Sequence, residues 1–375
     1  MLNLFQQVYK NIYYIETQIL ILGFYDRYNA GDEMYKVVIP RIFSNTKAKF
    51  IFKCLDDIKE IPNNIEFVIC GGGDIINGYF MRKAEKLFSK YTGRVYAFSV
   101  GIPYASESRY LHLFDHVFTR SKKDYLIACN EIGSVNTTYI PDAAFSLISN
   151  VIPSVKLSKI GICLAQPAFF NNPNSKELIN NIALSLYDLF KLNKSIQIHL
   201  LSFNYNEHHE DESDFIVNKV LYHRLLELDS KFPVYMPNNL KDPVLLFNRI
   251  KTMDVMLCMR YHSLLFSIIL CKTVIAIYCT SKMDNIINDY KNNIFATLKL
   301  PVDPIGKPTK INQTLLTQLL RDSLNSNIKY TIKPIDYSLA KKIMFDNQKI
   351  VNILIKTNLE SFDDTSFQCK RMLMK

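Results

Sequence analysis

Glu66-Phe67-Val68-Ile69-Cys70-Gly71-Gly72-Gly73-Asp74 joins a short apolar run to three consecutive glycines and a carboxylate, and its reading decides the fold. Glu66–Cys70 has the length and β-branched content of a buried strand. The glycine triplet is unusual for this chain, which has only 11 glycines among 375 residues. At that frequency, roughly 3% against an average near 7%, a glycine triplet arises by chance about 0.01 times per chain. Glycine is needed where the backbone takes positive φ or approaches another group closely. Two readings fit the triplet: a strand end that lets a ligand reach main-chain N–H groups, or a tight turn packed on a neighbouring strand. It has neither the spacing and Lys of a P-loop nor the order of a GxGxxG fingerprint.

Outward from this strand the chain alternates short β-branched runs with amphipathic segments, the pattern of an α/β protein with parallel sheets. In the first half the pattern predicts strands at Thr17–Gly23, Lys49–Lys53, Glu66–Cys70, Arg94–Val100, Val117–Arg120 and Val135–Tyr139. Helices are expected at Asp32–Phe43, Tyr79–Tyr91 and Lys122–Ile132. A polar break with Pro153 spans Ser149 to Lys159. The alternation restarts with strands at Lys159–Ala165, Gln197–Ser202, Val234–Met236, Asp254–Met259 and Thr273–Tyr278. Between them fall helices Lys176–Leu192, Phe215–Leu228, Pro243–Lys251 and Tyr261–Cys271. The expectation is two doubly wound domains facing a cleft, residues 1–150 and 159–330. A helical tail is expected at 331–375, with a long helix from Tyr337 to Thr357.

In open α/β sheets ligands bind beyond the carboxyl ends of the strands, so the residues there are the site candidates. The first strand runs into Asn29-Ala30-Gly31-Asp32-Glu33. That segment is either an ordinary helix cap or a helix N-terminus presenting carboxylates to hydroxyls. Ser99-Val100-Gly101 ends another strand, and Thr119-Arg120-Ser121 ends a further one in a lone Arg. Arg120 is either an anion clamp or a salt bridge to a helix carboxylate such as Asp124. In the second half Met259-Arg260-Tyr261-His262-Ser263 turns a buried strand into a helix. There Arg260 can neutralise an anion and His262 can transfer a proton near neutral pH. Glu207-His208-His209-Glu210-Asp211-Glu212 carries metal-capable residues, but adjacent side chains diverge and the run reads as a solvated loop, so no metal site is expected. His112 and His116 read as half-buried helix or turn residues.

Composition bounds the rest. A hydrophobic fraction of 48%, with 24 Phe and 22 Tyr, is ample for large cores and excludes wholesale disorder. The formal net charge of +10 comes from scattered Lys without an arginine-rich run, so most of it reads as solvated surface and no nucleic-acid partner is expected. Met1 to Glu16 lacks the basic start and apolar run of a signal peptide. Ser263 to Cys279, interrupted by Lys272, is too short to span a bilayer and reads as a buried helix followed by a buried strand. The eight Cys form no CxxC pair and mostly sit in apolar runs, as reduced core thiols do, and a cytoplasmic protein is expected.

The succession Asn29-Ala30-Gly31-Asp32-Glu33, Gly71-Gly72-Gly73-Asp74, Ser99-Val100-Gly101, Thr119-Arg120-Ser121, Pro141-Asp142-Ala143-Ala144-Phe145 and Met259-Arg260-Tyr261-His262-Ser263 resembles the polysaccharide pyruvyl transferase family. It runs from about Ile19 to about Ile287, and six motifs in order make it fairly specific. The resemblance implies two Rossmann-like domains in a GT-B-like arrangement. It also implies transfer of the three-carbon unit of phosphoenolpyruvate to a sugar hydroxyl pair as a cyclic ketal, with no cofactor besides that donor. It implies donor binding by Arg120, Arg260, Tyr261, His262, Gly72 and Gly73, with His262 and Arg260 catalytic. Asn29, Asp32, Glu33 and Asp74 would orient a saccharide or glycan acceptor. The chain departs from the family in having Ser121 right after Arg120, Ala143 after Asp142, and a longer Tyr278…Lys282 element. Two alternatives stand beside this reading: a GT-B glycosyltransferase using a nucleotide-sugar, and a non-enzymatic protein that binds an anionic glycan or nucleic acid.

Overall fold

The computed structural model describes residues 17–148, 158–206, 209–237, 240–326 and 328–346. Strands β1 (Thr17–Gly23), β2 (Ala48–Cys54), β3 (Ile65–Gly73), β4 (Arg94–Val100), β5 (His116–Thr119) and β6 (Thr137–Tyr139) form one sheet in the order β2-β1-β3-β4-β5-β6. Every neighbouring pair in it is parallel. Helices α1 (Ala30–Ile42), α2 (Gly78–Phe88) and α3 (Lys122–Ile132) cover its faces. A parallel sheet covered on both sides needs apolar residues at nearly every position, which is why β3 reads as an unbroken apolar run.

The second sheet repeats the design. Strands β7 (Lys159–Cys163), β8 (Gln197–Leu200), β9 (Val234–Tyr235), β10 (Val255–Cys258), β11 (Thr273–Tyr278) and β12 (Ala296–Lys299) lie in the order β12-β11-β10-β7-β8-β9. All pairs are again parallel. Its helices are α4 (Gln166–Phe169), α5 (Ser175–Leu192), α6 (Asp214–Leu228), α7 (Pro243–Lys251), α8 (Tyr261–Ile269), α9 (Ser281–Asp289) and α10 (Gln313–Asn325). The expected α/β architecture of two doubly wound units is therefore the observed one. The apolar stretch from Ser263 is α8 followed by β11, both buried.

Each sheet has a point where successive connections leave in opposite directions: between β1 and β3 in the first, between β7 and β10 in the second. Crevices open at such points. Here the two face each other, and the seam between them is packed. The backbone of Ala30 donates to the Phe203 carbonyl at 2.7 Å, and Tyr205 N–H donates to the Tyr28 carbonyl at 3.1 Å. One hydrophobic cluster runs from Ile19, Tyr35 and Phe145 through to Leu246, Tyr261 and Phe266.

Several expectations need correcting. β3 does not stop at Cys70; the triplet is its last turn of strand, with Gly71 paired to Phe98 and Gly73 to Val100. Helices α9 and α10 and edge strand β12 were not anticipated, because their exposed faces dilute the apolar pattern. Only Leu316, Leu320 and Ser323 of α10 are buried. Of the long helix expected from Tyr337, α11 (Ser338–Lys341) and a wider helical turn at 342–346 are seen; the remainder lies outside the described residues, as do most of the Ser149–Lys159 break, Glu207 and His208. This segment returns to the first sheet's side of the molecule. Tyr337 donates to the Asp142 carbonyl at 2.8 Å, and the Phe345 ring sits 5.2 Å from Phe43 and 5.3 Å from Phe67.

Gly72 explains the triplet physically. Its φ is +79°, and a Cβ there would lie 2.3 Å from the buried Tyr35 ring. Gly306 also has positive φ, +82°, but open space around it. Gly306→Ala should therefore cost only backbone strain, about 1 kcal/mol. Gly72→Ala adds overpacking of a further 1–3 kcal/mol or so. Denaturant midpoints of the two variants check this, and equal shifts would contradict it.

Candidate active site

The carboxyl ends of β1, β3 and β4 carry unusual backbone conformations. Asp26, Tyr28 and Ser99 have φ of 61°, 56° and 58°, alongside positive φ at Gly72 and Gly73. Non-glycine residues in this region cost energy and persist only where their surroundings hold them. Ser99 is held through its hydroxyl, which contacts Tyr35 Oη at 3.1 Å and accepts from Ala143 N–H at 2.9 Å.

α1 starts at this rim. Asn29 caps it, its Oδ1 accepting from Gly31 N–H at 3.1 Å, so the cap reading of this residue holds. Gly31 carries the contact between the two halves: a Cβ here would sit 1.8 Å from His262 Nδ1. Asp32 comes next, and its Oδ1 lies 2.9 Å from where a Cβ of Gly73 would be. Gly72 and Gly73, expected to bring backbone to a donor, are buried beneath Tyr35 and Asp32 of α1; the close approach they permit is that of the helix. Glu33 is half-buried, pairs with Lys36 at 2.8 Å and accepts from Arg27 N–H at 3.2 Å. It lines a cavity of about 320 Å³ between the halves, with Asp26, Tyr28, Lys241, Asp242 and Pro243.

Arg120 is 3% exposed. Its guanidinium reaches Asp74 at 2.5 Å and Asp142 at 3.1 Å and lies 4.1 Å from the Tyr261 ring centre. The suggested partner Asp124 instead accepts from the Ser121 hydroxyl at 2.7 Å. Asp142 in turn accepts from Tyr35 Oη at 2.9 Å. Lys282, on α9, completes the cluster from the other half, pairing with Asp74 at 2.8 Å and lying 5.3 Å from the Tyr261 ring centre.

At the opposing rim, Arg260 precedes α8. It is clamped by Asp214, whose Oδ1 is 2.6 Å from Nη2, and it also donates to the Glu212 carbonyl at 2.9 Å. Asp214 is fully buried and accepts from the backbone N–H of Gln166, Phe203 and Asn204. Sequence reasoning missed it: at the end of the acidic run from Glu207 it looks like one more solvated carboxylate or a routine first-turn residue of α6. Lys282 stands in the Tyr278…Lys282 element whose spacing departs from the family, and the sequence does not show that its partner is Asp74 of the other half.

Proton affinities at this seam diverge. Burial pushes Asp32 up to about 7, against the pull of Lys282 and Arg120 and with help from Asp74 and Glu33. Asp74 goes the other way, well below the carboxylate range, because Lys282 and Arg120 more than offset its burial. Burial, with Arg120 and Lys282 nearby, holds His262 well below its ordinary value, and its buried Nε2 has no partner. His116 lies away from this seam on β5, bonded to Thr138 Oγ1 at 2.9 Å, and His112 is exposed. Among the described residues no group of three or more His, Cys, Asp or Glu could hold a metal ion, and no helix is long and apolar enough to cross a membrane.

Paired switch points across a packed seam define a GT-B-like fold of two Rossmann-like units, and solved structures agree. S. aureus MnaA, solved with UDP, superposes with a TM-score of 0.58 at 10% identity, over 90% of this chain and 97% of that one. UDP-GlcNAc 2-epimerase from Methanocaldococcus jannaschii gives 0.57 at 10% identity, over 91% and 99%. That from Neisseria meningitidis, bound to UDP-GlcNAc, gives 0.51 at 13% identity, over 82% and 91%. No curated protein sequence matches significantly. A sequence model for polysaccharide pyruvyl transferase matches residues 1–281, and the chain belongs to that family.

Removing one partner of a buried ion pair leaves an uncompensated charge, at a cost of about 3–5 kcal/mol. Asp214→Ala should therefore unfold far more readily than wild type and release Arg260 from the rim. Urea denaturation measures the first effect; a loss below about 1 kcal/mol would contradict the clamp.

Proposed function

We propose that the protein transfers the three-carbon unit of phosphoenolpyruvate to a pair of sugar hydroxyls on a glycan, forming a pyruvate ketal. The observation that carries this reading is the convergence of Arg260, Lys282, Arg120 and His262 on the seam between the two sheets in a chain of this family. Phosphoenolpyruvate is small and multiply anionic, so its site needs cations and N–H donors. The Arg260 and Lys282 side chains are 23% and 40% exposed and can reach a ligand. Arg120, held beneath Tyr261, contributes its field from below. The main chain at Tyr261 opens α8, whose N-terminus favours an anion. Asp32, Glu33 and Asp74 line the opposite rim, where acceptor hydroxyls would hydrogen-bond, and Asn29 fixes the start of the helix that presents them. His262 moves a proton at Nε2.

The neighbours solved with UDP and UDP-GlcNAc favour a second reading, a nucleotide-sugar donor. Thermal unfolding separates the two. A ligand at 100 times its Kd stabilises by about 2.7 kcal/mol. Phosphoenolpyruvate should raise Tm while UDP-GlcNAc leaves it unchanged; the reverse result would replace this reading. Arg260→Ala and His262→Ala should each lower phosphate release from phosphoenolpyruvate about 100-fold or more. Full release from either variant would remove that residue from the mechanism.

A further inference from the structure

Nearly every charged group at the seam is paired. Asp74 has Arg120 and Lys282, Asp142 has Arg120, Asp214 has Arg260, and Glu33 has Lys36. Two titratable groups stand apart, and they flank one residue. The Asp32 carboxyl accepts no hydrogen bond from any described residue, although it is half-buried. His262 is 7% exposed with an unpartnered Nε2, and its ring abuts Gly31, the residue before Asp32. The His262 ring braces the fold against Gly31, Tyr35, Tyr261 and Phe266. Yet its Nε2 and the Asp32 carboxyl, on either side of Gly31, have no hydrogen-bond partner among the described residues and are free to exchange protons with a bound ligand.

Resting on the donor proposed above, we infer that Asp32 is the acid that protonates the donor's methylene carbon, and that His262 is the base that takes the first hydroxyl proton. The groups facing Asp32 are Lys282, Arg120, Asp74 and Glu33, and their sum with burial leaves it at about 7, so a large fraction is protonated near neutrality. Those facing His262 are Arg120, Lys282, Asp74 and Arg260, and it stays neutral. Shifts in these opposite senses suit an acid and a base on the two sides of the Gly31 contact. In the step, the Asp32 proton adds to the methylene carbon as the double bond opens and a sugar oxygen bonds to the adjacent carbon. The proton of that hydroxyl passes to His262 Nε2. The second sugar oxygen then bonds to the same carbon as that carbon's bond to the phosphate oxygen breaks. The second hydroxyl proton passes to the Asp32 carboxylate and restores the acid, while the proton on His262 leaves with phosphate, so both groups are regenerated and the charges balance.

The test uses the full chain with Asp32→Asn, Asp32→Glu and His262→Gln. A carboxyl whose pKa rises on folding contributes stability below its unfolded value near 4 and loses it as pH rises through about 7. The Tm of Asp32→Asn should therefore gain on wild type between pH 5 and pH 8, a readout that needs no substrate. In phosphate release from phosphoenolpyruvate with a glycoside panel, wild type should lose activity above pH 7. Asp32→Asn should fall about 100-fold or more and lose that limb, while Asp32→Glu keeps it. His262→Gln should fall as well but keep the alkaline limb. An Asp32→Asn enzyme with wild-type turnover or its alkaline limb intact overturns the assignment of Asp32. A Tm gap that does not change with pH overturns it independently. Wild type that releases no phosphate from phosphoenolpyruvate, yet shows the pH-dependent gap, overturns the donor and with it the step.

Discussion

The contact of the Gly31 backbone with the His262 ring organises the rest of this molecule. It joins the first turn of α1 to the first turn of α8, and so fixes the distance between the two sheets' switch points. No side chain fits between them, since even a methyl group would lie inside the imidazole. Asp32 and Glu33 lie within a few residues of that contact on one side and Arg260 and Tyr261 on the other, while Asp74, Arg120 and Lys282 reach the seam from other elements. Because the surrounding apolar cluster runs through both halves, this spacing is set by packing as well as by hydrogen bonds.

Close spacing brings charges out of water, which is costly unless they are paired. The seam answers with a chain of ion pairs from Asp142 through Arg120 and Asp74 to Lys282, and with a separate clamp of Asp214 on Arg260. The cations are thereby held in place with few rotamers left to lose, which suits recognition of a planar carboxylate or a phosphate. Pairing also means that an incoming anion competes with Asp74 for Lys282. The solvent-reachable ends of Lys282 and Arg260 can make that exchange, whereas Arg120 cannot leave its two carboxylates without exposing buried charge.

Much of this was legible in the sequence, and the gaps have physical causes. Buried parallel strands such as Arg94–Val100 and Thr273–Tyr278 were read to the residue, because a strand covered on both faces leaves a continuous apolar signature. Arg120, Arg260 and His262 stood out because polar residues interrupt such runs. Edge strand β12 and helix α10 did not, since half their surface is solvated. The glycine triplet announced a close approach but not its partner; that Tyr35 fills the space depends on how α1 lies over β3, which only the assembled sheet decides. Asp214 and Asp142 were invisible as partners, because a carboxylate's burial is a property of the tertiary fold.

Transfer of a three-carbon unit from an anionic donor to a sugar at this seam is tested most directly by mass spectrometry of a glycoside panel after incubation with carbon-13-labelled phosphoenolpyruvate. The expected product is an acid-labile ketal carrying the label, formed together with inorganic phosphate. Unlabelled glycosides beside intact phosphoenolpyruvate, with glycosyl transfer from a nucleotide-sugar in the same assay, would contradict it.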